Sequence, residues 1–408
     1  MQIDEINLRI IKDSRKDDTL EALMKKGDIE VTSSVPQGKS RGGTEVVFLE
    51  AKEALKRFNE IRSFLIKKNF DTLEDFDNFL LQIDGTLQKS FLGGNLILVL
   101  SQCFSKLLAK FNKVPLWEYL RNQFATLIFD SSKFYCHDIY PYFFFNLING
   151  GKHALIGSKF QEYLVVPKEE NPQKSLEIIK KFFFQLKNYI ADRYGNIKYG
   201  DEGGLIIPED NYELPLVILD TVRKQLNYED LLNFSLDVAA NSFFENNTNS
   251  YKITNNKIVN SSELILIYEE LNKKYHLLSI EDPFNEIDFE SFRLLKERLG
   301  NNTIIVGDDL TTTNIDNTKK ALAHNSISGL IIKPSQIGTV SETLKVIAFA
   351  YQNNLKTIIS HRSGETDDDF IADLAVGTCS WGFKAGAPEP KERMAKYNRV
   401  IDILKSNI

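Results

Sequence analysis

The sequence has few cysteines, no excess of basic residues and no long hydrophobic run. Its three cysteines, Cys103, Cys136 and Cys379, lie far apart in 408 residues, so neither a zinc cluster nor a disulfide framework is indicated. The net charge of −6 does not indicate the excess of basic charge that binds nucleic acid or an anionic membrane surface. The longest apolar stretches, such as YPYFFFNLI, are too short to span a bilayer, and the first residues lack the order of a signal peptide. We therefore expect a globular protein of the reducing cytoplasm, without a nucleic-acid partner or a membrane span.

The residue pattern changes twice along the chain. Residues 4–50 alternate polar and apolar positions around turn signals such as KKGD, which predicts a small antiparallel sheet. Residues 51–121 have helical periodicity. After about residue 131, short apolar runs alternate with amphipathic stretches, which predicts a parallel β/α sheet with enough units to close into a barrel. We therefore expect an α/β protein with an α+β domain over 1–130 and a β/α barrel over 131–408.

Charged side chains recur where the apolar runs of the predicted barrel end. The acids are Glu162 in FQEYLV, Asp237 in SLDVA, Glu281 in LLSIED and Asp308 in IIVGDD. The other polar residues are Lys333 after LII, His361, Arg362 and Ser363 in TIISHRS, and Lys384 in WGFKAG. Because the carboxyl ends of barrel strands open onto one rim, we expect these side chains to converge. A single acid at such a position is usually a helix cap or a loop charge, but the series predicts a functional rim.

Three of the acids have the chemistry of a divalent-cation site. Asp237, Glu281 and Asp308 come from separate strands, and a hard cation takes oxygen ligands while leaving positions for substrate and water. Packed together without a cation, three carboxylates would repel one another. The alternative is that each acid lies in a salt bridge of its own.

The remaining rim residues suit acid–base chemistry on a phosphorylated substrate. Arg362 and Ser363 offer a planar fork and a hydroxyl that fit a phosphate, although a surface ion pair would explain Arg362 equally well. Lys333 could be a base beside a cation, or could simply extend its amine to solvent. Glu162, and Glu202 in the GDEGG turn, are candidates for the acid. Such a set would remove a proton next to a carboxylate and expel a group from the adjacent carbon.

Several stretches of the chain resemble the enolases, the glycolytic 2-phosphoglycerate dehydratases. They include FNLINGGKHA, GDEGG, SIEDPF, KPSQIGT, SHRSGET and KAGAP…ERMAKYN between about residues 142 and 398, with weaker similarity in DSR, VPQGKSRGG and PLWEYL. The resemblance implies a smaller N-terminal α+β domain followed by an irregular barrel whose second strand is antiparallel. It also implies dehydration of 2-phosphoglycerate to phosphoenolpyruvate with Mg²⁺ as cofactor.

The resemblance further implies a role for each matching position. The catalytic residues it implies are Lys333, Glu202, Glu162 and His361. The residues it implies for a small phosphorylated carboxylate substrate are His153, Arg362, Ser363 and Lys384. The magnesium ligands it implies are Asp237, Glu281, Asp308 and, from a mobile loop, Ser40. In this scheme Lys333 removes the C2 proton, and Glu202, held by Glu162, helps the C3 hydroxyl leave as water.

The chain departs from the family pattern near these residues. The loop reads VPQGKSRGG where VPSGASTG is usual, which places Lys39 and Arg41 around the serine. KVNQIG reads KPSQIG, so Ser335 replaces a larger amide, and Pro390 stands where an arginine is usual. A family segment rich in Arg, Asp and Gly is largely missing between Glu45 and Ala54. We expect a homo-oligomer, but the usual dimer and the closure of the loop both depend on this altered N-terminal region.

Three functions remain open at this point. The first is a working enolase, since every aligned catalytic and metal position is filled. The second is a divergent paralogue that acts on a related phosphorylated 2-hydroxy acid, which the altered surroundings of the site would allow. The third is a ligand-binding or scaffold protein that keeps the site without turnover. The missing segment after the loop is the observation that supports it.

Overall fold

The N-terminal part of the protein is a sheet covered by helices. The computed structural model describes residues 1–38, 42–128, 140–154 and 156–405. The first strands, β1 (Glu5–Lys12), β2 (Asp18–Lys26) and β3 (Ile29–Ser34), form an antiparallel sheet in chain order. The small antiparallel sheet is therefore confirmed, but it ends at Ser34 and not near residue 50, since residues 42–50 contain neither strand nor helix.

The predicted helical region contains four helices, namely α1 (Ala51–Lys67), α2 (Leu73–Asp84), α3 (Gly94–Phe111) and α4 (Leu116–Thr126). A capping box at Thr72 begins α2, and Gly85, with a left-handed φ of 65°, ends it. Helix α3 is buried along almost its whole length because it packs between β2 and β3 on one side and barrel helices on the other. This position explains why its sequence is apolar on nearly all faces.

The strands that follow form a barrel with two additions. They are β4 (Tyr142–Asn149), β5 (Glu162–Pro167), β6 (Leu205–Ile206), β7 (Leu232–Asp237), β8 (Phe244–Glu245), β9 (Ser250–Thr254), β10 (Lys257–Val259), β11 (Leu277–Glu281), β12 (Ile304–Gly307), β13 (Gly329–Ile332), β14 (Lys356–Ser360) and β15 (Gly382–Lys384). Eight of the described strands, β4, β5, β7 and β11 to β15, close the barrel through the pairing of β15 with β4. Strand β6 pairs with β4 outside the ring, and β8, β9 and β10 form a separate antiparallel sheet.

The barrel is irregular at its second strand. Strand β5 runs antiparallel to both of its neighbours, β4 and β7, whereas the other neighbouring pairs in the ring are parallel. The α/β class and the irregular barrel with an antiparallel second strand are thus confirmed. The side chains that fill its interior are Phe144, Leu164, Val166, Val306, Ile331 and Ile358.

The barrel strands alternate with helices on the outside. These are α5 (Pro172–Tyr194), α6 (Leu214–Gln225), α7 (Ser261–Tyr275), α8 (Phe289–Leu299), α9 (Ile315–Ala323), α10 (Pro334–Ile337), α11 (Val340–Gln352), α12 (Phe370–Gly377) and α13 (Lys391–Lys405). Among the described helices we find none whose length and apolar character would let it span a bilayer.

Hydrogen bonds join the N-terminal domain to the barrel. The backbone N–H groups of Val340 and Ser341, at the start of α11, donate to Ser101 Oγ at 2.9 Å and to Asp77 Oδ2 at 3.0 Å. Near the barrel mouth, Gln37 pairs with Gly364 in an isolated antiparallel bridge. The predicted domain boundary at residue 130 lies outside the described residues and stays a prediction.

The wide spacing of the cysteines did not indicate a disulfide framework, but Cys379 is disulfide-bonded in the structure.

Candidate active site

Most of the rim residues stand where the sheet geometry brings parallel strands to a common end. Asp237, Glu281 and Lys384 are the last residues of β7, β11 and β15. Asp308 and Lys333 directly follow β12 and β13. His361, Arg362 and Ser363 directly follow β14 in the same way. The structure therefore brings together residues that are far apart in the sequence, since Lys384 and Asp237, 147 positions apart, make direct contact.

Glu162 reaches the same rim by a different route. It was expected to sit with residues at strand ends, but it is the first residue of β5. Because β5 runs antiparallel, its beginning lies beside the carboxyl ends of its neighbours. Glu162 is paired with Asp237, and Asp237 with Glu281, so three carboxylates stand side by side on adjacent strands.

Lys384 lies at the centre of this carboxylate row. Its Nζ is 3.2 Å from Glu162 Oε2, 3.1 Å from Asp237 Oδ2 and 2.7 Å from Glu281 Oε2. Burial lowers the pKa of Lys384, but the three carboxylates raise that pKa by more, so it is held well above its usual value. Lys384 is therefore a permanent cation that offsets part of the negative charge of the row.

Asp308 is bound by a second lysine. Its Oδ2 atom lies 2.5 Å from Lys333 Nζ, and its Oδ1 atom accepts a hydrogen bond from Gln336 Nε2 at 2.8 Å. Burial disfavours the charge of Lys333, but the attraction of Asp308 is stronger, and the pKa of Lys333 is raised. The three acids predicted as metal ligands thus all lie in ion pairs with Lys384 or Lys333, but Asp237 and Glu281 share Lys384, so the acids are not dispersed in separate salt bridges as the alternative required.

The acidic side nevertheless has the donor set of an oxygen-ligated cation. Burial and the neighbouring Asp237 carboxylate raise the pKa of Glu281 well above its usual value. Glu281 Oε1 is buried and accepts no hydrogen bond within the described part of the chain. A second acidic group, Asp282, Asp308 and Asp309, has ligand atoms within 4.8 Å of one another. Buried carboxylates with excess negative charge and a vacant lone pair fit a divalent cation.

Glu162 and Glu202, which were predicted to carry out acid–base chemistry, lie together with two histidines on what we call the acid–base side of the mouth. His153 Nδ1 lies 3.3 Å from Glu202 Oε1 and 3.9 Å from Glu162 Oε1, and His361 Nε2 lies 3.5 Å from Glu202 Oε2. Asn146 Nδ2 donates to Glu202 Oε2 at 2.8 Å. All of these side chains except Asn146 were singled out in the sequence, and the structure places them in contact.

The two glutamates differ in their affinity for a proton. Burial, followed by the negative charge of Glu202, raises the pKa of Glu162 well above its usual value. Burial also disfavours the charge of Glu202, but His361, His153 and Arg393 outweigh it and hold the pKa of Glu202 well below its usual value. A proton shared by the pair therefore rests on Glu162, as expected for titratable groups in unlike surroundings.

Both domains form the side of the mouth that carries Arg362 and Ser363, which were predicted to bind phosphate and which we call the phosphate side. Arg362 Nη1 donates to Glu45 Oε2 at 2.9 Å and to Ser335 Oγ at 3.1 Å, and all three side chains are buried. The ion pair that the sequence left as an alternative for Arg362 therefore exists, but in the interior and not on the surface. Ser363 Oγ accepts from Arg15 Nη1 at 3.1 Å. A narrow cleft lies between this side and the carboxylates, lined by residues that include His153, Glu202, Lys333 and Arg362.

Besides Asn146, the sequence did not single out Glu45, Gln336 or Arg393, which also organise the site. Glu45 and Gln336 link Arg362 to Asp308, since Gln336 Nε2 also contacts Glu45 Oε1 at 3.3 Å. Arg393 contacts the loop that carries His361. Gln336 and Arg393 lie within KPSQIGT and ERMAKYN, two of the stretches that carried the family resemblance, so the motifs held a signal for them. Ser40 lies outside the described residues, and its assignment stays a prediction.

Comparison with known proteins agrees with this geometry over both domains. A family model described as "Enolase, N-terminal domain" matches residues 3–120, and one described as "Enolase, C-terminal TIM barrel domain" matches residues 137–406. The chain belongs to the enolase family. A protein named Enolase from Sulfurisphaera tokodaii is 38% identical over 96% of this chain and 93% of its own length.

Relatives named Enolase occur in distant groups of organisms. The Methanocaldococcus jannaschii protein is 34% identical over 98% of this chain and 95% of its own length. The Ehrlichia chaffeensis protein is 35% identical over 99% of this chain and 96% of its own length. The similarity to enolases thus extends over both the sheet domain and the barrel.

Proposed function

We propose that this protein dehydrates 2-phosphoglycerate to phosphoenolpyruvate in glycolysis. The observation that carries the proposal is the meeting, at one barrel mouth, of two lysines with a row of buried carboxylates. Lys384 contacts Glu162, Asp237 and Glu281, and Lys333 contacts Asp308. Membership of a family whose curated relatives are named Enolase supports the same reaction.

Substrate binding would use two cations of the mouth, Arg362 and Lys384. Arg362 can offer its guanidinium fork to a phosphate dianion in exchange for Glu45, with the Ser363 hydroxyl as a further donor. Lys384 would then hold the substrate carboxylate, because it is buried among acids that keep it charged. His153, beside Glu202, would border the carbon that carries the leaving hydroxyl.

The acidic side suits one or two divalent cations, and we assign Mg²⁺ to it. Asp237, Glu281 and Asp308 would hold the first ion, and Ser40 is proposed for the second. When bound, the ion would stabilise the negative charge that develops on the substrate carboxylate as the adjacent carbon loses its proton. Enolase-superfamily sites in general combine a Lys or His base with one or two Mg²⁺ ions.

The proton steps follow from the two pairs of titratable groups. Lys333 would remove the C2 proton, but its contact with Asp308 keeps it protonated, so it can accept a proton only when Asp308 has another partner. The electron pair of the C2–H bond then forms the C2–C3 double bond as the C3 hydroxyl leaves. The Glu162 and Glu202 pair would give that hydroxyl a proton, so that it departs as water.

We also propose the domain limits 1–130 and 131–408, a cytoplasmic location and a homo-oligomeric state. The family-model matches over residues 3–120 and 137–406 support two domains of about these lengths. Sedimentation at several protein concentrations would test the oligomeric state.

The experiment that tests the function is formation of phosphoenolpyruvate from 2-phosphoglycerate, followed by ultraviolet absorbance with Mg²⁺ and with a chelator. We expect turnover that depends on Mg²⁺. Greater activity on a related phosphorylated 2-hydroxy acid would favour the divergent paralogue. Binding of Mg²⁺ and phosphoenolpyruvate by folded protein, without turnover or C2 proton exchange, would favour a non-catalytic protein.

A further inference from the structure

Arg393, near the start of α13, is buried with 0% of its surface exposed. Burying a guanidinium costs free energy unless its N–H groups are paired, because water no longer solvates the charge. Its partners therefore indicate its role. Its ion-pair contact is a long one, 3.6 Å from Nε to Glu392 Oε1, and its shorter contacts all go to loops of the barrel mouth.

Arg393 joins the two loops that carry the acid–base side and the phosphate side. Nη1 lies 2.5 Å from His361 Nδ1 and donates to the Arg362 carbonyl at 2.7 Å. Nη2 donates to the Ser363 carbonyl at 2.7 Å and to the Asp201 carbonyl at 3.3 Å. One planar side chain thus fixes the backbone after β14 relative to the turn that carries Glu202.

These contacts decide where His361 carries its proton. An arginine donates hydrogen bonds and cannot accept them, so His361 Nδ1 must be the acceptor. The ring is then neutral with its proton on Nε2, which lies 3.5 Å from Glu202 Oε2. Burial and the charges of Arg393, Lys384 and Lys333 lower the pKa of His361 well below its usual value, while Glu202 acts in the opposite sense.

We propose that Arg393 is a positioning residue that holds His361 as a neutral ring with its proton on Nε2, facing Glu202. His361 then serves as a fixed hydrogen-bond donor to Glu202 and not as a proton shuttle. The effect on catalysis rests on the proposed function, but the state of the ring does not. The backbone contacts to Arg362 and Ser363 would place the phosphate loop at the same time.

The test compares Arg393→Met and Arg393→Lys with Arg399→Met as the matched control. Arg399 lies on the same helix and makes two hydrogen bonds to Asp373, away from the mouth. The chain has five histidines, so ¹⁵N-histidine NMR can follow each ring, with the His361 signal assigned from a His361→Gln spectrum. In the native protein and the Arg399→Met variant we expect an Nε2–H ring that does not titrate between about pH 6 and 9.

In Arg393→Met we expect the His361 signal to show mixed ring forms and to titrate. The kcat value should fall roughly 10- to 100-fold with a smaller change in KM, by analogy with the loss of partners that orient metal-ligating side chains. Arg393→Lys keeps the charge but loses the fork, and should lie between the native and Met proteins in both measurements. If Arg393→Met does not fold, Arg393→Lys alone decides.

The proposal is wrong if a folded Arg393 variant leaves the His361 ring signal unchanged, or if the native ring carries its proton on Nδ1. Absence of turnover in the native protein would overturn the proposed function instead, and the NMR comparison would still decide the role of Arg393. A fall in kcat with an unchanged ring signal would assign Arg393 to backbone support only and would also overturn the proposal.

Discussion

The row of carboxylates at the barrel mouth comes from barrel strands, whereas the phosphate side is completed by the N-terminal domain. Glu162, Asp237 and Glu281 stand in register on adjacent barrel strands. Arg362, by contrast, is paired with Glu45 of the N-terminal domain. Gly38 lies so close that an added Cβ would be 1.9 Å from Arg362 Nη2.

The difference has a physical consequence. Sheet register and close packing fix the positions of the carboxylate row, so each change there should be severe. The phosphate side depends on how the two domains dock, because Arg362 pairs with Glu45 of the N-terminal domain. Changes there should therefore alter substrate affinity before they alter the chemical step.

The largest effect should come from Lys333→Ala on the acidic side. Removing the base should abolish exchange of the C2 proton and lower kcat by about 10³-fold or more, in the range of general base catalysis. Proton exchange is measured by NMR of 2-phosphoglycerate in deuterated water, and Mg²⁺ binding by calorimetry. We expect binding of Mg²⁺ to survive, because Asp308 remains and loses a competing cation.

Lys319→Ala is the control for this variant, since Lys319 is exposed on α9 and pairs only with Asp316 among the described residues. Normal proton exchange in Lys333→Ala would remove Lys333 from the base role. It would also contradict the expected severity of changes on the acidic side, because a residue there would then be dispensable.

A comparable but separable effect is expected for Glu202→Gln. The amide can still accept from Asn146 Nδ2 but cannot donate or take up the proton of the leaving group. We therefore expect C2 proton exchange to continue while phosphoenolpyruvate formation falls about 10²- to 10⁴-fold. Equal loss of both reactions would mean that the two steps share one residue. Glu209→Gln, at an exposed glutamate that contacts Tyr194, is the control.

A smaller effect should follow Arg15→Met on the phosphate side. Arg15 donates to Ser363 Oγ at 3.1 Å and to the Gln37 carbonyl at 3.3 Å, and so links the two domains beside the phosphate loop. Loss of one such hydrogen bond, at about 1 kcal/mol, should raise KM about 5-fold with little change in kcat. A fall in kcat at constant KM would contradict the division between the two sides. Arg9→Met, on the exposed face of β1, is the matched control.

The sequence predicted the acidic side better than the phosphate side for a reason that lies in the geometry. Asp237 and Glu281 could be placed because parallel barrel strands end at one rim whatever their partners are. That Lys384 lies among three carboxylates depends on the closure of the barrel between β15 and β4, and Glu162 needed the antiparallel β5. Neither could be derived from local patterns without the family resemblance.

The residues that the sequence did not single out owe their positions to contacts with distant parts of the chain. Glu45 meets Arg362 only because two domains dock, and no local pattern encodes that contact. Arg393 lies on an amphipathic helix, where an arginine normally indicates a solvent-facing position, yet it is fully buried. Residues that organise a site through long-range contacts are thus the part that composition and periodicity cannot supply.

The smallest expected effect on the site comes from Asp77, which joins α2 to α11 away from the mouth. Its Oδ2 atom accepts from the Ser341 N–H at 3.0 Å and from Ser341 Oγ at 2.6 Å. Burial raises the pKa of Asp77 from 3.8 to about 6, against hydrogen bonds from Ser101 and Ser341. Because the folded pKa exceeds the unfolded value, the stabilising contribution is complete below about pH 4 and is lost as the pH rises through about 6.

Asp77→Asn should remove the loss of stability that the native protein shows as the pH rises. The amide oxygen can accept from Ser341 without a charge that burial disfavours. At about 1.4 kcal/mol per pKa unit, the native protein should lose at most about 3 kcal/mol relative to the variant between pH 4 and 7. Calorimetric melting temperatures across that range measure the difference, and turnover should not change. Glu74→Gln, an exposed contact from α2 to Lys345 of α11, should show no such trend. A constant difference between native and Asp77→Asn proteins would mean that the domain contact does not titrate, and domain docking would then be as insensitive to pH as the sheet register.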